Sequence, residues 1–446
     1  MNVKVEKWTL LYAVLKIYFK LIHKLFYRKF VVEGLRNIPK DKTIIFAPNH
    51  QNAVMDPLAM IFSTPYQIVF LARGDTFKKP AVAKIFYTLK ILPIFRQRDG
   101  KEALKKNEEI FNISVNVLKH NKPFCLFPEA QHNSVRRLRI LKKGIQRIAF
   151  QALEETDFKL DMAIIPTGIY YDDKFNSLAT LHIQYGKPIF VNDYIDFYKQ
   201  NPQKATMALR DEMTKRIKPL MIDIQNKEYY ELIEFLRDFM NKIVRKNLKL
   251  KNNQKSKFKA DKFIIEKLEK TAEQNETLMS EIKSDWESLI KLFKTNLKNY
   301  ENKIYKNLTF FELTLKSLKY IILFPLFLSG LVINFLPYFI IKSVIKKIVK
   351  DPQFLSTIKF GAGAILYPVY YSIISIFLII FLDNVYFILS AILFMPVSAI
   401  IAKYYYYFIK KFFADLRFTF LNKTQKTKII KIQNKIINSV SKITNF

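Results

Sequence analysis

Three long apolar runs in the last third of the chain limit most strongly what it can fold into. The runs cover residues 318–341, 360–382 and 385–402, and the first contains a single charge, Lys319. A run of 24 residues is long enough to cross the apolar core of a bilayer as a helix. The last two runs are separated by only two residues, which predicts a helical hairpin. We therefore expect a transmembrane region over residues 311–410 and a basic cytoplasmic tail over residues 411–446.

Basic residues on both sides of the apolar runs predict the orientation of the protein. Positive charges follow the first run and the third at Lys342, Lys346, Lys347, Lys350, Lys403, Lys410, Lys411 and Arg417. Cytoplasmic loops carry such an excess, so both flanks should face the cytoplasm of a cell (inner) membrane, together with the N-terminal domain. Three complete crossings cannot leave the N-terminal domain and both basic flanks on the same side of the membrane. We therefore expect Pro325, Gly330 and Pro337 to make the first run kinked or re-entrant.

The formal charge of +35 indicates an anionic partner, because 73 Lys and Arg stand against 38 Asp and Glu. The sequence contains no zinc-ligand spacing and no RNA-binding signature, and it does contain apolar spans. We therefore predict anionic membrane lipids as the partner and no nucleic acid; part of the excess reflects a general bias toward Lys, Ile and Asn. The single Cys125 excludes an intramolecular disulfide and a cysteine-based metal cluster, which is typical of a reducing compartment, and we predict no metal site.

The N-terminal region, residues 1–29, has the pattern of an amphipathic helix. Lys16, Lys20 and Lys24 fall on one helical stripe, with apolar residues elsewhere. This pattern suits a helix lying in the membrane interface, and a helix packed on its own domain is the alternative.

Residues 30–225 alternate short β-rich runs with helical ones, which predicts an α/β domain with a mixed sheet flanked by helices. The predicted strands are 43–47, 67–72, 124–127, 163–170 and 181–185. The predicted helices are 80–90, 101–118, 144–154 and 204–218. Residues 226–310 are rich in Lys, Glu and Asn, and their apolar residues recur at helical spacing. We expect paired amphipathic helices there, joined by the basic run 246–259, as a coiled hairpin or a regulatory insertion.

The most informative polar block is Asn49 to Asp56, directly after the first predicted strand. A histidine with a pKa near neutral can take a proton from an alcohol, and a carboxylate can hold its tautomer. At an offset of six residues, His50 and Asp56 would point about 120° apart on a regular helix. They can meet only if His50 lies in the turn before the helix.

Three further blocks follow in an order that suits one active site. Arg96 and Arg98 follow an apolar helix. One guanidinium group can donate two parallel hydrogen bonds to phosphate oxygens, so the two arginines are candidates for binding an anion. Glu129 is delivered at the end of a strand within Phe127-Pro128-Glu129-Ala130. The block Ile165-Pro166-Thr167-Gly168 reads as a strand end at which a ligand can approach closely. His132 is a rival base, which we rank below His50 because Glu129 is its only near carboxylate.

Together the four blocks resemble the glycerol-phosphate and lysophosphatidate acyltransferase family over roughly residues 30–220. The resemblance implies that His50 is the base, Asp56 its orienting partner, Arg96 and Glu129 acceptor-binding residues, and Pro166 part of the site wall. It also implies a glycerophosphate acceptor and an acyl thioester donor, carried by coenzyme A or an acyl carrier protein, with no permanently bound cofactor. Arg98, Arg136 and Arg137 are further candidates for phosphate binding, and the basic cluster after Glu129 is equally well explained by contact with anionic lipid.

Two departures from the family pattern bear on the acceptor. Five residues separate His50 from Asp56 where the family usually has four, which resembles the branch acting on glycerol-3-phosphate or dihydroxyacetone phosphate. Ala130 stands where the family usually has glycine, which matters if the backbone needs a positive φ there. The predicted function is a membrane-bound O-acyltransferase of phospholipid synthesis. The alternatives are a catalytically inactive lipid-binding membrane scaffold of the same fold and a basic nucleic-acid-binding protein.

Overall fold

The computed structural model describes residues 5–77, 80–95, 101–131, 135–297, 307–349 and 351–445. The chain divides into two compact units: Met1–Asp223 with Ile348–Gly361, and Ile224–Lys347 with Ala362–Phe446. The segment Ile348–Gly361 therefore belongs with the α/β domain, although the sequence placed it in the transmembrane region. Hydropathy along the chain could not indicate this, because the assignment depends on contacts between distant residues.

The first unit is built on one mixed sheet. Its strands are β1 (Lys29–Glu33), β2 (Thr43–Pro48), β3 (Val69–Arg73), β4 (Ile91–Ile94), β5 (Phe124–Cys125), β6 (Met162–Tyr171), β7 (Thr180–Tyr185) and β8 (Ile189–Phe190). The strand order is β1-β7-β6-β2-β5-β3-β4, and β8 pairs with β6. The neighbours are parallel except β6–β7 and β6–β8. The carboxyl ends of β2, β5, β3 and β4 therefore meet at one edge of the sheet.

Helices cover both faces of this sheet. They are α1 (Leu10–Phe26), α2 (Met55–Ser63), α3 (Pro80–Thr88), α4 (Lys101–Lys119), α5 (Gly144–Glu154), α6 (Ile195–Gln200) and α7 (Pro202–Ile217). Side chains alternate along β2, so Ile45 joins the core under α4, α5 and α7, and Phe46 joins the core under α1 and α2. The predicted α/β architecture is confirmed.

Three strands were not predicted from the sequence: the two-residue β8, which pairs with β6, and two strands at the edges of the sheet. β1 and β4 are the two ends of the strand order. Pro93 lies within β4, where its missing N–H is tolerated because an edge strand pairs on one side only. In the sequence, Arg96 and Arg98 come after this strand, which lies between them and α3 and was not predicted.

Helix α1 packs on the first unit and also exposes an apolar face. The Lys16 ammonium donates hydrogen bonds to the backbone carbonyls of Thr64 and Tyr66, at 2.8 and 2.6 Å, so this lysine faces the domain. The opposite face exposes apolar residues at helical spacing, namely Leu10, Val14, Ile17, Leu21 and Leu25. The alternative of a helix packed on its own domain is observed. Placement of the exposed apolar face in a membrane interface stays a prediction.

The second unit is helical. It contains α8 (Tyr230–Asn247), α9 (Gln254–Gln274), α10 (Glu276–Leu292), α11 (Phe310–Ile333), α12 (Phe335–Ile348), most of α13 (Leu355–Phe381), α14 (Val385–Thr419) and α15 (Lys423–Thr444). Helices α8 and α9 form the expected pair. A buried ion pair joins them, with 3.1 Å between Arg237 Nη1 and Asp261 Oδ2.

In the part of the chain that the structure describes, three helices are long and apolar enough to cross a membrane: Phe310–Ile333, Pro352–Phe381 and Val385–Thr419. The first ends eight residues before the predicted boundary of 341, because the helix is interrupted at Asn334. The Asn334 amide donates to the Gly330 carbonyl at 2.8 Å and accepts from the Tyr371 hydroxyl at 2.6 Å, so polar groups at the interruption are satisfied. The interruption falls between Gly330 and Pro337, within the stretch where a kink was expected.

The basic C-terminal segment is a packed helix, and its prediction as a tail from residue 411 is wrong. Helix α14 continues to Thr419, and α15 then buries Ile429, Ile436 and Val440 completely within the second unit. These three residues recur at helical spacing in a lysine-rich sequence. The prediction of a tail was based on the lysine-rich composition and did not take this apolar stripe into account.

Candidate active site

The site lies where β2 leaves the sheet, in the loop of residues 49–54 that precedes α2; we call it the His50 loop. The Nδ1 atom of His50 is 2.8 Å from Oδ2 of Asp56, the second residue of α2. His50 is therefore in the turn before the helix, as the pairing required. In open α/β sheets, ligands bind outside the carboxyl ends of the strands, and the pair lies at that position.

Asp56 is completely buried, and both oxygens of its carboxylate accept hydrogen bonds from donors that can stabilise its charge. Oδ2 accepts the backbone N–H groups of Gln51 and Asn52, both at 2.7 Å, in addition to its contact with His50. Oδ1 accepts the hydroxyl of Tyr171 at 2.7 Å. These donors hold the carboxylate against Nδ1 of the imidazole. The neutral tautomer that donates from Nδ1 has Nε2 as its proton acceptor.

The His50 loop accommodates five residues between His50 and Asp56 by unusual backbone geometry. Ala53 has a φ of 31°, in a region that L-residues rarely adopt. At its other end, the Asn49 side chain accepts the Ile169 N–H at 2.6 Å and donates to the Ile169 carbonyl at 3.2 Å, which ties the loop to β6. The longer spacing is therefore compatible with a direct contact between the imidazole and the carboxylate.

Glu129 lies beside the pair, on the segment after β5. Its Oε1 accepts the backbone N–H of His50 at 2.8 Å, and its Oε2 accepts that of Arg139 at 3.1 Å. Burial raises the pKa of Glu129 from 4.5 to about 7, and the two N–H donors oppose this shift. In this structure the carboxylate fixes the backbone of His50; its predicted contact with an acyl acceptor stays a prediction.

The backbone next to Glu129 has the conformation that glycine would favour. Ala130 has a φ of 58°, so this position adopts the left-handed region with a Cβ present. Its N–H donates to the carbonyl of Phe127 at 3.0 Å, which closes a tight turn. The ring of Phe127 stacks on His50 with 4.2 Å between the centroids. Alanine therefore occupies a left-handed turn position of the kind that glycine favours.

The structure describes two of the four arginines that were predicted to bind phosphate. Arg96 and Arg98, like the rival base His132, lie outside the described residues. The Arg136 guanidinium is buried, donates to the Tyr171 carbonyl at 2.7 Å and lies over the Tyr170 ring, so it supports the end of β6. Arg137 is partly exposed. A role of these arginines in binding phosphate stays a prediction.

The block around Pro166 lies inside β6 and does not form a strand end. Pro166 pairs with Ala47 of β2, two residues before the His50 loop begins, so it is near the site but buried. At Gly168, an added Cβ would lie 1.9 Å from the carbonyl oxygen of Leu220. The space beside Gly168 is therefore occupied by the backbone of Leu220, and the expectation that this glycine allows a ligand to approach is wrong.

Sequence reasoning missed Tyr171, Asn49 and Asn52 as parts of this site. The two asparagines stand in the same polar block as His50, and that density of polar residues after a buried strand could have indicated them. Tyr171 is 115 positions from Asp56, and nothing in the local sequence connects the two. Among the described residues, no group of three or more His, Cys, Asp or Glu could hold a metal ion.

Two comparisons with known proteins give a match. Residues 29–170, which contain β1 to β5, all of β6 except Tyr171, and most of the site, match the family model described as Acyltransferase. The match lies within the α/β domain, so this domain resembles an acyltransferase domain, and the match supports an acyltransferase. A similar solved structure is the 1-acyl-sn-glycerophosphate (LPA) acyltransferase PlsC from Thermotoga maritima, with 19% identity, a TM-score of 0.32, and coverage of 46% of this chain and 78% of that one. No curated protein gives a significant match.

Proposed function

We propose that the protein transfers a fatty acyl group from an acyl thioester to a hydroxyl of a glycerophosphate, with His50 as general base. The observation that carries the proposal is the 2.8 Å contact between His50 Nδ1 and a buried Asp56 within an acyltransferase domain. A buried carboxylate with several donors is a fixed partner for an imidazole that must take up a proton. The three apolar helices suit an enzyme that handles lipid substrates at a membrane.

The proposed reaction is a direct transfer. Nε2 of His50 accepts the proton of the acceptor hydroxyl as its oxygen attacks the thioester carbonyl. The tetrahedral oxyanion then collapses, the C–S bond breaks, and the imidazolium returns the proton to the departing thiolate. Asp56 stabilises the imidazolium between these two steps. The single thiol of the chain, Cys125, is completely buried in β5, and burial raises its pKa well above the usual value, so it is unsuited to act as a nucleophile.

Phosphate groups of the acceptor and donor need cations near this edge of the sheet. Arg96 and Arg98 follow β4, whose carboxyl end lies on the same edge as that of β2. Arg137, Lys142 and Lys143 follow Glu129, and the same cluster would also suit anionic lipid headgroups. The donor is coenzyme A or acyl-carrier-protein thioester, without a permanently bound cofactor. The domain is proposed to work on the cytoplasmic side of the cell membrane.

An acceptor screen on the full chain in lipid nanodiscs tests the proposal. A labelled acyl thioester, as acyl-CoA or acyl carrier protein, is offered with glycerol-3-phosphate, dihydroxyacetone phosphate or lysophosphatidate. We expect acylation of one acceptor class, and its loss in His50→Ala. His120→Ala is the matched control, because His120 is an exposed residue directly after α4 whose ring contacts the Asn116 carbonyl of that helix. Turnover retained in both His50→Ala and Asp56→Ala would refute the mechanism, and no turnover with any acceptor would favour the inactive lipid-binding scaffold.

A further inference from the structure

A contact between residues 304 positions apart joins the His50 loop to the start of α13. The Ser356 hydroxyl donates a hydrogen bond to Oδ1 of Asn52 at 2.8 Å. Both residues are 1% exposed, so water cannot replace this hydrogen bond. Ser356 is the second residue of α13 and belongs to the first unit, which also contains the candidate active site.

Asn52 transmits this contact directly to the carboxylate of the site. Its backbone N–H donates to Asp56 Oδ2 at 2.7 Å, and its side-chain amide donates to the Lys174 carbonyl at 2.9 Å. The Asn52 side chain is therefore held on its donor side by Lys174 and on its acceptor side by Ser356. Because the next residue is Ala53, with its unfavourable φ of 31°, the loop depends on such contacts to keep its shape.

Other residues of the same segment fix it to the first unit independently of Ser356. The Lys359 ammonium donates to the Phe175 carbonyl at 3.0 Å and to Oδ1 of Asn176 at 2.9 Å. Phe360 is 4% exposed and packs against Phe26 of α1 with 5.8 Å between ring centroids. Removal of the Ser356 hydroxyl should therefore leave the segment docked and affect mainly the loop.

We propose that Ser356 is a positioning residue for acyl transfer, which acts through Asn52 on the alignment of Asp56 and His50. The proposal rests on the proposed function of that pair. Since α13 is also part of the candidate membrane span Pro352–Phe381, the beginning of a membrane helix forms one support of the active-site loop. Without the hydroxyl, Oδ1 of Asn52 is a buried acceptor that must find another donor, and the loop rearranges to do so.

The kinetic test compares Ser356→Ala with Thr357→Val in the full chain in nanodiscs. The Thr357 hydroxyl has no hydrogen-bond partner in the part of the chain that the structure describes, so its removal is the matched control. We expect Ser356→Ala to lower kcat about 10- to 100-fold with KM for both substrates changed less than about twofold, because small misplacements of reacting groups have such effects. Thr357→Val should have the kcat of the wild type. Adding Ser356→Ala to Asn52→Ala should lower kcat no further, because the acceptor of the hydrogen bond is already absent.

Hydrogen–deuterium exchange gives a second readout that needs no turnover. In Ser356→Ala, we expect faster exchange of the peptide containing residues 49–56, where two amides donate to Asp56, and unchanged exchange in β6. Wild-type kcat and exchange in Ser356→Ala, an equal loss in Thr357→Val, or acceleration throughout the domain would each overturn the proposal. If the wild type acylates no acceptor, the proposed function fails, and exchange of the loop alone then decides whether Ser356 holds it.

Discussion

The hydroxyl of Tyr171 donates to Oδ1 of Asp56 at 2.7 Å, while Oδ2 of the same carboxylate contacts His50. Tyr171 is the last residue of β6, and Asp56 is near the start of α2. The hydrogen bond therefore ties the orientation of the carboxylate to the central sheet. A residue outside all four sequence blocks thus determines how the proposed base is presented.

Tyr171→Phe should lower both stability and turnover. The ring is completely buried and phenylalanine fills the same space, so the variant removes one hydrogen bond to a charged group, which contributes about 1.5–3 kcal/mol. Thermal unfolding and kcat are measured together. Tyr185→Phe is the control, because Tyr185 is equally buried and bonds to Ser63. A Tyr171→Phe enzyme whose kcat falls no further than that of Tyr185→Phe would contradict a role in the site.

Asp56→Asn should abolish most turnover with little unfolding. The asparagine oxygen can accept from the two backbone amides and from His50, and its amide can donate to the Tyr171 hydroxyl. Only the negative charge is lost, so the imidazolium is no longer stabilised, and we expect kcat to fall about 10²- to 10⁴-fold. Acylation rates and unfolding temperature are compared with those of Asp157→Asn, a change at an exposed carboxylate. Near-normal kcat in Asp56→Asn would exclude charge stabilisation as the role of Asp56.

Ala130→Gly should stabilise the protein by about 0.5–1 kcal/mol without changing kcat. At a φ of 58°, the Cβ of alanine is strained, and the relief exceeds the extra entropy of glycine in the unfolded chain. Ala208→Gly, inside α7, should instead destabilise by about 0.5–1 kcal/mol. Unfolding in one detergent at matched concentration measures both. The prediction is wrong if both variants change stability in the same direction.

Glu129 should make stability fall with rising pH. Its pKa is 4.5 in the unfolded chain and about 7 in the fold, where burial disfavours the charge. Below about pH 4.5 both states are protonated, between the two values only the unfolded chain ionises, and above about pH 7 both are ionised. The wild type should thus lose about 3 kcal/mol relative to Glu129→Gln over that interval, and nothing more above it.

Unfolding measured across this range for the wild type, Glu129→Gln and Glu108→Gln checks the pH dependence. Glu108 is an exposed glutamate of α4, so its variant should follow the wild type at each pH. A stability difference between wild type and Glu129→Gln that does not change with pH would contradict the raised pKa of Glu129.

Local sequence patterns predicted much of the fold. Helix α5 has the predicted bounds, and the predicted strands overlap β2, β3, β5, β6 and β7, because their apolar runs are buried and of ordinary length. Strand β4 was missed because four residues with a proline form a strand only when a neighbour supplies hydrogen bonds. The predicted tail from residue 411 was wrong because the apolar stripe of α15 becomes significant only when α9 and α10 are there to cover it.

The sequence by itself determined the proposed base and its partner, since six positions and one turn are enough to bring His50 and Asp56 together. It also determined that long apolar helices follow the α/β domain. Only the tertiary structure decided what holds the pair in place: Glu129 at the His50 backbone, Tyr171 at the far side of Asp56, and Ser356 at the loop between them. The physical reason is that hydrogen bonds between buried groups act over about 3 Å in space, whatever the separation of the residues along the chain.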